Sequence, residues 1–324
     1  MLKTRFTGLL GIRHPIMQGG MQHLGVPELA AAVSNAGGLG TINMSIYPKP
    51  EDFRAAVRRT KSLTSMPFCV NISLLPELNS ADTARDCISI CAEEGVSAIE
   101  TAGQNPAPLV PLIKSAGMTL IHKCPSVRHA LKAEAAGADA VSIVSYEAGG
   151  HPGLDELGGF ILINRAAASL RIPVLAAGGI ADGKGLAAAL ALGAEGIVMG
   201  TRFVATQECP AHRNFKDAVV SSGELDTTTC LRSVGNTVRC FKNECSMQVI
   251  KRERQGASLP ELMPLISGAI SGESYVTGNT QNCIFAVGPS VGLIPSVRPV
   301  GEVLEEIVCE ALSVIDQLNL LRTQ

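Results

Sequence analysis

Glycine, lysine and histidine recur in this sequence where short apolar runs end, and they are the residues with chemistry to offer. Ala177-Gly178-Gly179-Ile180-Ala181-Asp182-Gly183-Lys184-Gly185 follows one apolar run, and Gly200-Thr201 follows the next. Glycine has no Cβ, so successive backbone N–H groups can converge on one anion, and a helix beginning just after adds a favourable dipole. One helix-length and one strand-length stretch separate the two segments. That spacing predicts a phosphate site shared by two neighbouring strand ends, without saying which phosphate.

Other run ends supply side chains. Tyr146-Glu147-Ala148-Gly149-Gly150-His151-Pro152-Gly153 surrounds a histidine with three glycines and a proline. An imidazole on such a loop can move protons near neutral pH or hydrogen-bond an acceptor. Gln18-Gly19-Gly20-Met21-Gln22 would let a flat ligand approach the backbone. Asn71-Ile72-Ser73 and His122-Lys123-Cys124 each follow a run, and Lys123 there would direct a cation at an anionic oxygen.

Two motifs come close and fail, and a third is missing. Gly178 to Lys184 starts like a phosphate-binding P-loop, but Gly185 stands where a Ser or Thr should hold magnesium. Gly288-Pro289-Ser290-Val291-Gly292 has the letters of a nucleophile elbow in loop-like surroundings. The G-x-G-x-x-G dinucleotide fingerprint is absent. Asp139, Asp182 and Glu195 read as loop and cap residues rather than as a metal or glycosidase pair.

These residues need elements to position them. Eight aliphatic runs, at 15–18, 39–43, 68–72, 98–101, 119–122, 140–143, 173–176 and 196–199, have the continuous apolar character of parallel strands buried on both faces. Helical stretches lie between them, several ending at a glycine suited to a left-handed C-cap (Gly95, Gly117, Gly137, Gly193). The pattern predicts an α/β fold: a (β/α)8 TIM barrel with a smaller, mainly helical second domain, in preference to an open doubly wound sheet. Residues 1–209 form the barrel, completed by a C-terminal helix over 302–324. Residues 210–301 form a cap, helical over 210–255 and loop-rich over 265–300. In such a barrel the site lies at the C-terminal strand ends, and the loops after strands seven and eight bind phosphate.

Composition narrows the class. The chain has 324 residues, 46% hydrophobic and 17% charged, which suits a large core and excludes disorder. Aromatics are 3% and Trp is absent, so the core is aliphatic. A net charge of −2 without a dense basic block gives nucleic-acid binding no support; Lys251-Arg252-Glu253-Arg254 reads as a solvated helix face. No apolar run reaches the roughly 18 residues of a membrane span, and the N-terminus lacks a signal-peptide core. A cytoplasmic enzyme is expected. The ten cysteines are scattered without paired C-x2-C spacing, so they read as buried hydrophobes and no metal is expected.

Four segments together resemble the nitronate monooxygenase (2-nitropropane dioxygenase) family: Pro15-Ile-Met-Gln-Gly-Gly-Met21, Glu147-Ala-Gly-Gly-His-Pro-Gly153, Ala177-Gly-Gly-Ile-Ala-Asp-Gly183 and Met199-Gly-Thr-Arg-Phe203. Asn71-Ile-Ser-Leu-Leu-Pro76, Ile121-His-Lys-Cys124 and Arg128-His-Ala-Leu-Lys-Ala133 are most similar to its bacterial NADH:quinone reductase subgroup. The resemblance implies flavin mononucleotide (FMN) held by Gly20, Met21, Gln22, Ser73, Lys123, Gly149, Gly150, Gly178, Gly179, Gly200 and Thr201, with an active-site role for His151. Ala177 stands where relatives often carry Ser, which leaves a backbone contact only. The implied activity is hydride transfer from NAD(P)H through flavin to a quinone. The alternatives are oxidation of alkyl nitronates with oxygen, or reduction of enoyl thioesters on acyl carrier protein. With only Tyr47, Tyr146 and Tyr275, the chain lacks the tyrosines of the bacterial nitronate-oxidising class. The expected partners are small molecules, with a homodimer as an allowed assembly.

Overall fold

The structure, a computed structural model, describes residues 2–74 and 81–322. The Leu75-Pro76 end of the Asn71–Pro76 motif lies outside the described residues. Eight strands form one parallel sheet: β1 (Ile16–Gln18), β2 (Gly40–Asn43), β3 (Phe68–Leu74), β4 (Ala98–Gly103), β5 (Thr119–Cys124), β6 (Ala140–Val144), β7 (Val174–Ala177) and β8 (Gly196–Met199). β1 pairs with β8, and a parallel bridge from Met17 to Leu39 joins β1 to β2, so the sheet closes on itself. After α1 (Arg5–Leu10), which precedes β1, helices α2 (Pro27–Asn35), α3 (Pro50–Leu63), α4 (Ala81–Glu94), α5 (Val110–Ser115), α6 (Val127–Ala136), α7 (Gly159–Ser169) and α8 (Gly183–Ala191) follow β1 to β7 in turn, giving a (β/α)8 TIM barrel whose eighth outer helix comes from the C-terminal segment.

Alternation along each strand sorts residues between the barrel interior and the helical layer. Met17, Leu39, Cys69, Ala98, Ile121, Ala140, Leu175 and Val198 form an inner cluster that also takes in Phe6, Leu10 and Ile12. α1 and the turn after it therefore plug the N-terminal end of the barrel. Phe6 is fully buried there and stands 3.1 Å from where a Cβ on Gly196 would be. A ligand must enter at the opposite end.

After β8 come the short α9 (Thr201–Val204) and α10 (Arg213–Val220). Here the structure corrects two expectations. The stretch read as helical over 210–255 contains an antiparallel hairpin, β9 (Thr227–Cys230) with β10 (Val238–Phe241), before α11 (Glu244–Arg254). The three consecutive threonines favour extended backbone over helix. The stretch read as loop-rich over 265–300 contains the end of α12 (Leu259–Ile266) and all of α13 (Gly268–Thr277). Gly268 and Gly272 look like loop residues in sequence. In α13 they give a flat face: a Cβ on Gly268 would stand 2.8 Å from Gln22 Nε2, and one on Gly272 would stand 3.0 Å from His23 Cε1. The hairpin, α11 and α12 share a small core of their own around Cys230, Cys240, Val249 and Leu262.

The last helix, α14 (Val300–Leu320), returns to the barrel. Leu304 approaches Gly38, just before β2, and Glu310 accepts a hydrogen bond from the Gly183 amide at 2.7 Å. A Cβ on Gly183 would fall 2.4 Å from the Ile307 carbonyl oxygen, so only glycine lets α8 and α14 approach this closely.

Candidate active site

The C-terminal strand ends bring the glycine segments together. Gly178 and Gly179, directly after β7, have φ of +102° and +74°, a region that L side chains rarely adopt. A Cβ on Gly178 would lie 2.4 Å from Ser145 Oγ and 2.8 Å from the Ala148 nitrogen, so the loop after β6 presses against the loop after β7. Among the described residues, the N–H groups of Gly178, Gly179 and Gly200 have no backbone acceptor. Thr201 is nearly buried, and its hydroxyl accepts the Gly288 N–H at 3.0 Å. Asp182 caps α8 by accepting the Gly185 N–H at 2.8 Å, which explains this aspartate without catalysis.

Two of the glycines at the mouth have space beside them, and two, Gly20 and Gly149, are hemmed in. A Cβ on Gly150 would meet nothing within 4 Å, and one on Gly200 would meet only Met21, with Sδ at 3.8 Å. A Cβ on Gly20 would collide with the Asn71 amide at 2.3 Å, so Gly20 lets the first loop lie directly on Asn71. Ala177 is buried at the end of β7, just before the glycine pair.

Lys123 and Ser73 are strand residues, each belonging to an element longer than the sequence run predicts. Inward alternation on β5 sends Lys123 to the barrel axis and His122 to the helices. Lys123 Nζ stands 3.3 Å from both oxygens of Glu100, which is fully buried on β4. Glu100 Oε2 also accepts from Asn71 Nδ2 at 2.6 Å, and Asn71 Oδ1 accepts from Asn43 Nδ2 at 3.3 Å. Sequence reasoning missed this chain, although a carboxylate inside the apolar run Ala98-Ile-Glu100 is a readable signal. His122 instead pairs through Nδ1 with Thr101 Oγ1 at 2.8 Å. Burial, helped by His129 and Lys123, pushes its pKa down to about 4.

His151 has an exposed surface, yet burial among the surrounding protein lowers its pKa. A hydrogen bond with the Asn236 side chain opposes the shift, and Lys123 adds to it, so His151 and Lys123 lie within electrostatic reach of each other. Asn236 and Arg239 are a second omission. Gly150 and Arg239 exchange backbone hydrogen bonds of 2.9 and 2.7 Å, and Arg239 Nε donates to the Tyr146 carbonyl at 2.9 Å. The Arg239 guanidinium also lies over the Tyr146 ring, 4.6 Å from its centre. The hairpin thus holds the histidine loop. The β-branched run Thr227–Cys230 and the alternating Val238-Arg239-Cys240, on either side of Gly235-Asn236, were the available signal.

Several buried polar atoms around the mouth lack hydrogen-bond partners: Thr41 Oγ1, Glu100 Oε1 (apart from its ionic contact), Ser142 Oγ and Ser145 Oγ. With left-handed glycines, unpartnered amides and a cation, the donor set suits a ligand that combines a phosphate with a flat, polar-edged ring. Gly288-Pro-Ser-Val-Gly292 sits in a short 3-10 helix rather than a strand-turn-helix elbow. Among the described residues no helix is long and apolar enough to cross a membrane.

Comparison with known proteins agrees with this geometry. The chain is 38% identical to FabK from Thermotoga maritima, covering 98% of this chain and 99% of that one with a TM-score of 0.92. It is 31% identical, over 99% of both chains, to a (3aS,4S,5R,7aS)-5-hydroxy-7a-methyl-1-oxo-octahydro-1H-indene-4-carboxyl-CoA dehydrogenase from Rhodococcus jostii. It is 33% identical to a nitronate monooxygenase from Paraburkholderia phytofirmans, over 72% of this chain and 75% of that protein. The nitronate monooxygenase family model matches residues 3–310, and the chain belongs to that family of flavin-dependent oxidoreductases.

Proposed function

We propose that this protein is an FMN-dependent, NAD(P)H-oxidising reductase of conjugated carbonyl compounds, with enoyl thioesters favoured over quinones. The observation that carries the reading is the exposed His151 ring, on a loop that the β9–β10 hairpin holds at the strand ends, within electrostatic reach of Lys123. A quinone and an enoyl thioester are alike in one respect. Adding hydride at one end of the conjugated system puts negative charge on a carbonyl oxygen, which a placed hydrogen-bond donor stabilises. The likeness to a CoA-thioester dehydrogenase over 99% of both chains favours the thioester.

In this reading Gly178, Gly179, Gly200 and Thr201 bind the FMN phosphate. Gly20, Met21, Gln22, Gly149 and Gly150 line the ring, Ala177 offers backbone only, and Ser73 and Lys123 meet its polar edge. FMN, when bound, supplies two-electron exchange. His151 orients the acceptor by its carbonyl oxygen and holds the proton delivered there. Residues 210–301 act as a cap that keeps water from the ring face and selects the acceptor.

An anaerobic flavin-reduction screen tests the proposal. NADH or NADPH should bleach the flavin, and crotonyl-CoA should restore its colour faster than menadione. Faster recovery with menadione would move the acceptor to quinones. A second reading, nitronate oxidation, is favoured by the Paraburkholderia relative. Bleaching by propyl nitronate but by neither nicotinamide would establish it instead.

A further inference from the structure

Glu100 is an unusual residue to find inside a barrel. It has no solvent exposure and lies on the strand that also contributes Ala98 to the apolar inner cluster. A carboxylate taken out of water is costly unless paired and hydrogen-bonded, and an apolar residue of similar volume would often be more stable there. Its polar contacts are the Asn71 amide at 2.6 Å and the Lys123 ammonium at 3.3 Å. Fold stability alone does not account for it.

The geometry connects this carboxylate to the mouth. Lys123, near the C-terminal end of β5, is a quarter exposed, and its ammonium rests on Glu100. Asn71, the second partner of Glu100, lies directly beneath Gly20. A charge at Glu100 is therefore felt at the mouth both through Lys123 and through the floor under the first loop. In a low-dielectric interior such charges are weakly screened.

We propose that Glu100 is a positioning and charge-balancing residue for the flavin site: it anchors Lys123 and cancels its charge, so that the ring rests on a neutral ion pair instead of a free cation. The inference rests on the FMN reading above. Its consequence is electrochemical. A free cation would favour the reduced, more negative flavin, so the pair holds the bound cofactor at a lower midpoint potential than Lys123 alone would set.

The test uses full-length FMN-loaded protein and the variants Glu100→Gln, Lys123→Gln and the double variant. The readouts are the midpoint potential by dye equilibration and FMN affinity by fluorescence titration of the apoprotein. Glu100→Gln should shift the potential positive, Lys123→Gln should shift it negative, and the double variant should lie close to wild type. An unchanged potential in Glu100→Gln would overturn the proposal. If Glu100→Gln alone does not fold, with an uncompensated buried cation as the reason, the double variant should still fold and lie positive of Lys123→Gln. Equal potentials in those two proteins would overturn it. A wild-type protein that binds no FMN would bring down the cofactor reading and this proposal together; wild-type binding with an unmoved Glu100→Gln potential would bring down this proposal alone.

Discussion

The two ends of the mouth are assembled by different means. At one end, Gly178-Gly179 and Gly200-Thr201 directly follow adjacent strands, β7 and β8, so the barrel's own strand ends place them, with Ser145, Gly288 and α14 packed behind. At the other, His151 sits on a loop whose partner is the β9–β10 hairpin, outside the barrel: Arg239 and the Tyr146 carbonyl it binds are 93 residues apart. The glycine end belongs to the barrel. The histidine end depends on a second structural unit docking onto the barrel. In our reading of the site, flavin binding can therefore persist while turnover is tuned or lost through the hairpin.

The strongest way to break this contrast is His151→Ala. It should keep its flavin yet lose roughly 100- to 10,000-fold in turnover of the carbonyl acceptor, the range for a lost general acid–base group. Unchanged kcat/KM at normal FMN content would make His151 structural. Gly178→Val tests the other end. Forcing a β-branched residue to φ of +102° against Ser145 and Ala148 strains the loop by about 1–3 kcal/mol, so FMN should bind roughly 10- to 100-fold more weakly in a fluorescence titration.

A third prediction sharpens the comparison inside β5, where neighbours face opposite ways. The His122 pKa falls from its ordinary 6.5 to about 4. Its folded value is depressed, so the unfolded chain binds the extra proton first. Stability is retained above pH 6.5 and declines as pH falls towards 4, by up to about 3 kcal/mol. Thermal melts of His122→Gln should show a flatter pH dependence across that window, with little change in flavin potential. A potential that moves with this variant would place His122 in the site after all. The smallest effect is expected from Arg239→Ala, which loses a hydrogen bond and a cation–π contact worth about 1–2 kcal/mol together. It should lower kcat/KM several-fold and leave FMN affinity alone. Equal losses in both would erase the distinction between the two ends.

The same difference explains what could be read from the sequence. All eight strands were legible because buried parallel strands are continuous aliphatic runs, and the place of Gly178-Gly179 and Gly200 at neighbouring strand ends because they follow two of those runs directly. Strand ends were less clear: polar Lys123 and Ser73 look like loop residues, but in a barrel an inward polar side chain can belong to a strand lining the site. Glu100 was visible as a letter and invisible as a partner, since it meets Lys123 only diagonally across β4 and β5, where Lys123 stands opposite Ala102. The hairpin escaped because its strands are only four residues each, too short for periodicity to outweigh the helical context around them. α13 escaped because glycines that mark a loop elsewhere serve close packing here.

The return of α14 has a consequence for biosynthesis. Glu310 holds the first amide of α8, and Leu304 reaches the start of β2, so this helix bridges the first and last strand-helix units of the barrel. A nascent chain that has completed β8 still lacks that bridge until residues 300–320 leave the ribosome. The loop between β7 and α8, which carries the flavin's phosphate in our reading, is thus buttressed only once residues 300–320 have been made. In that reading a chain truncated before α14 would emerge with its strands in place and its flavin site unfinished.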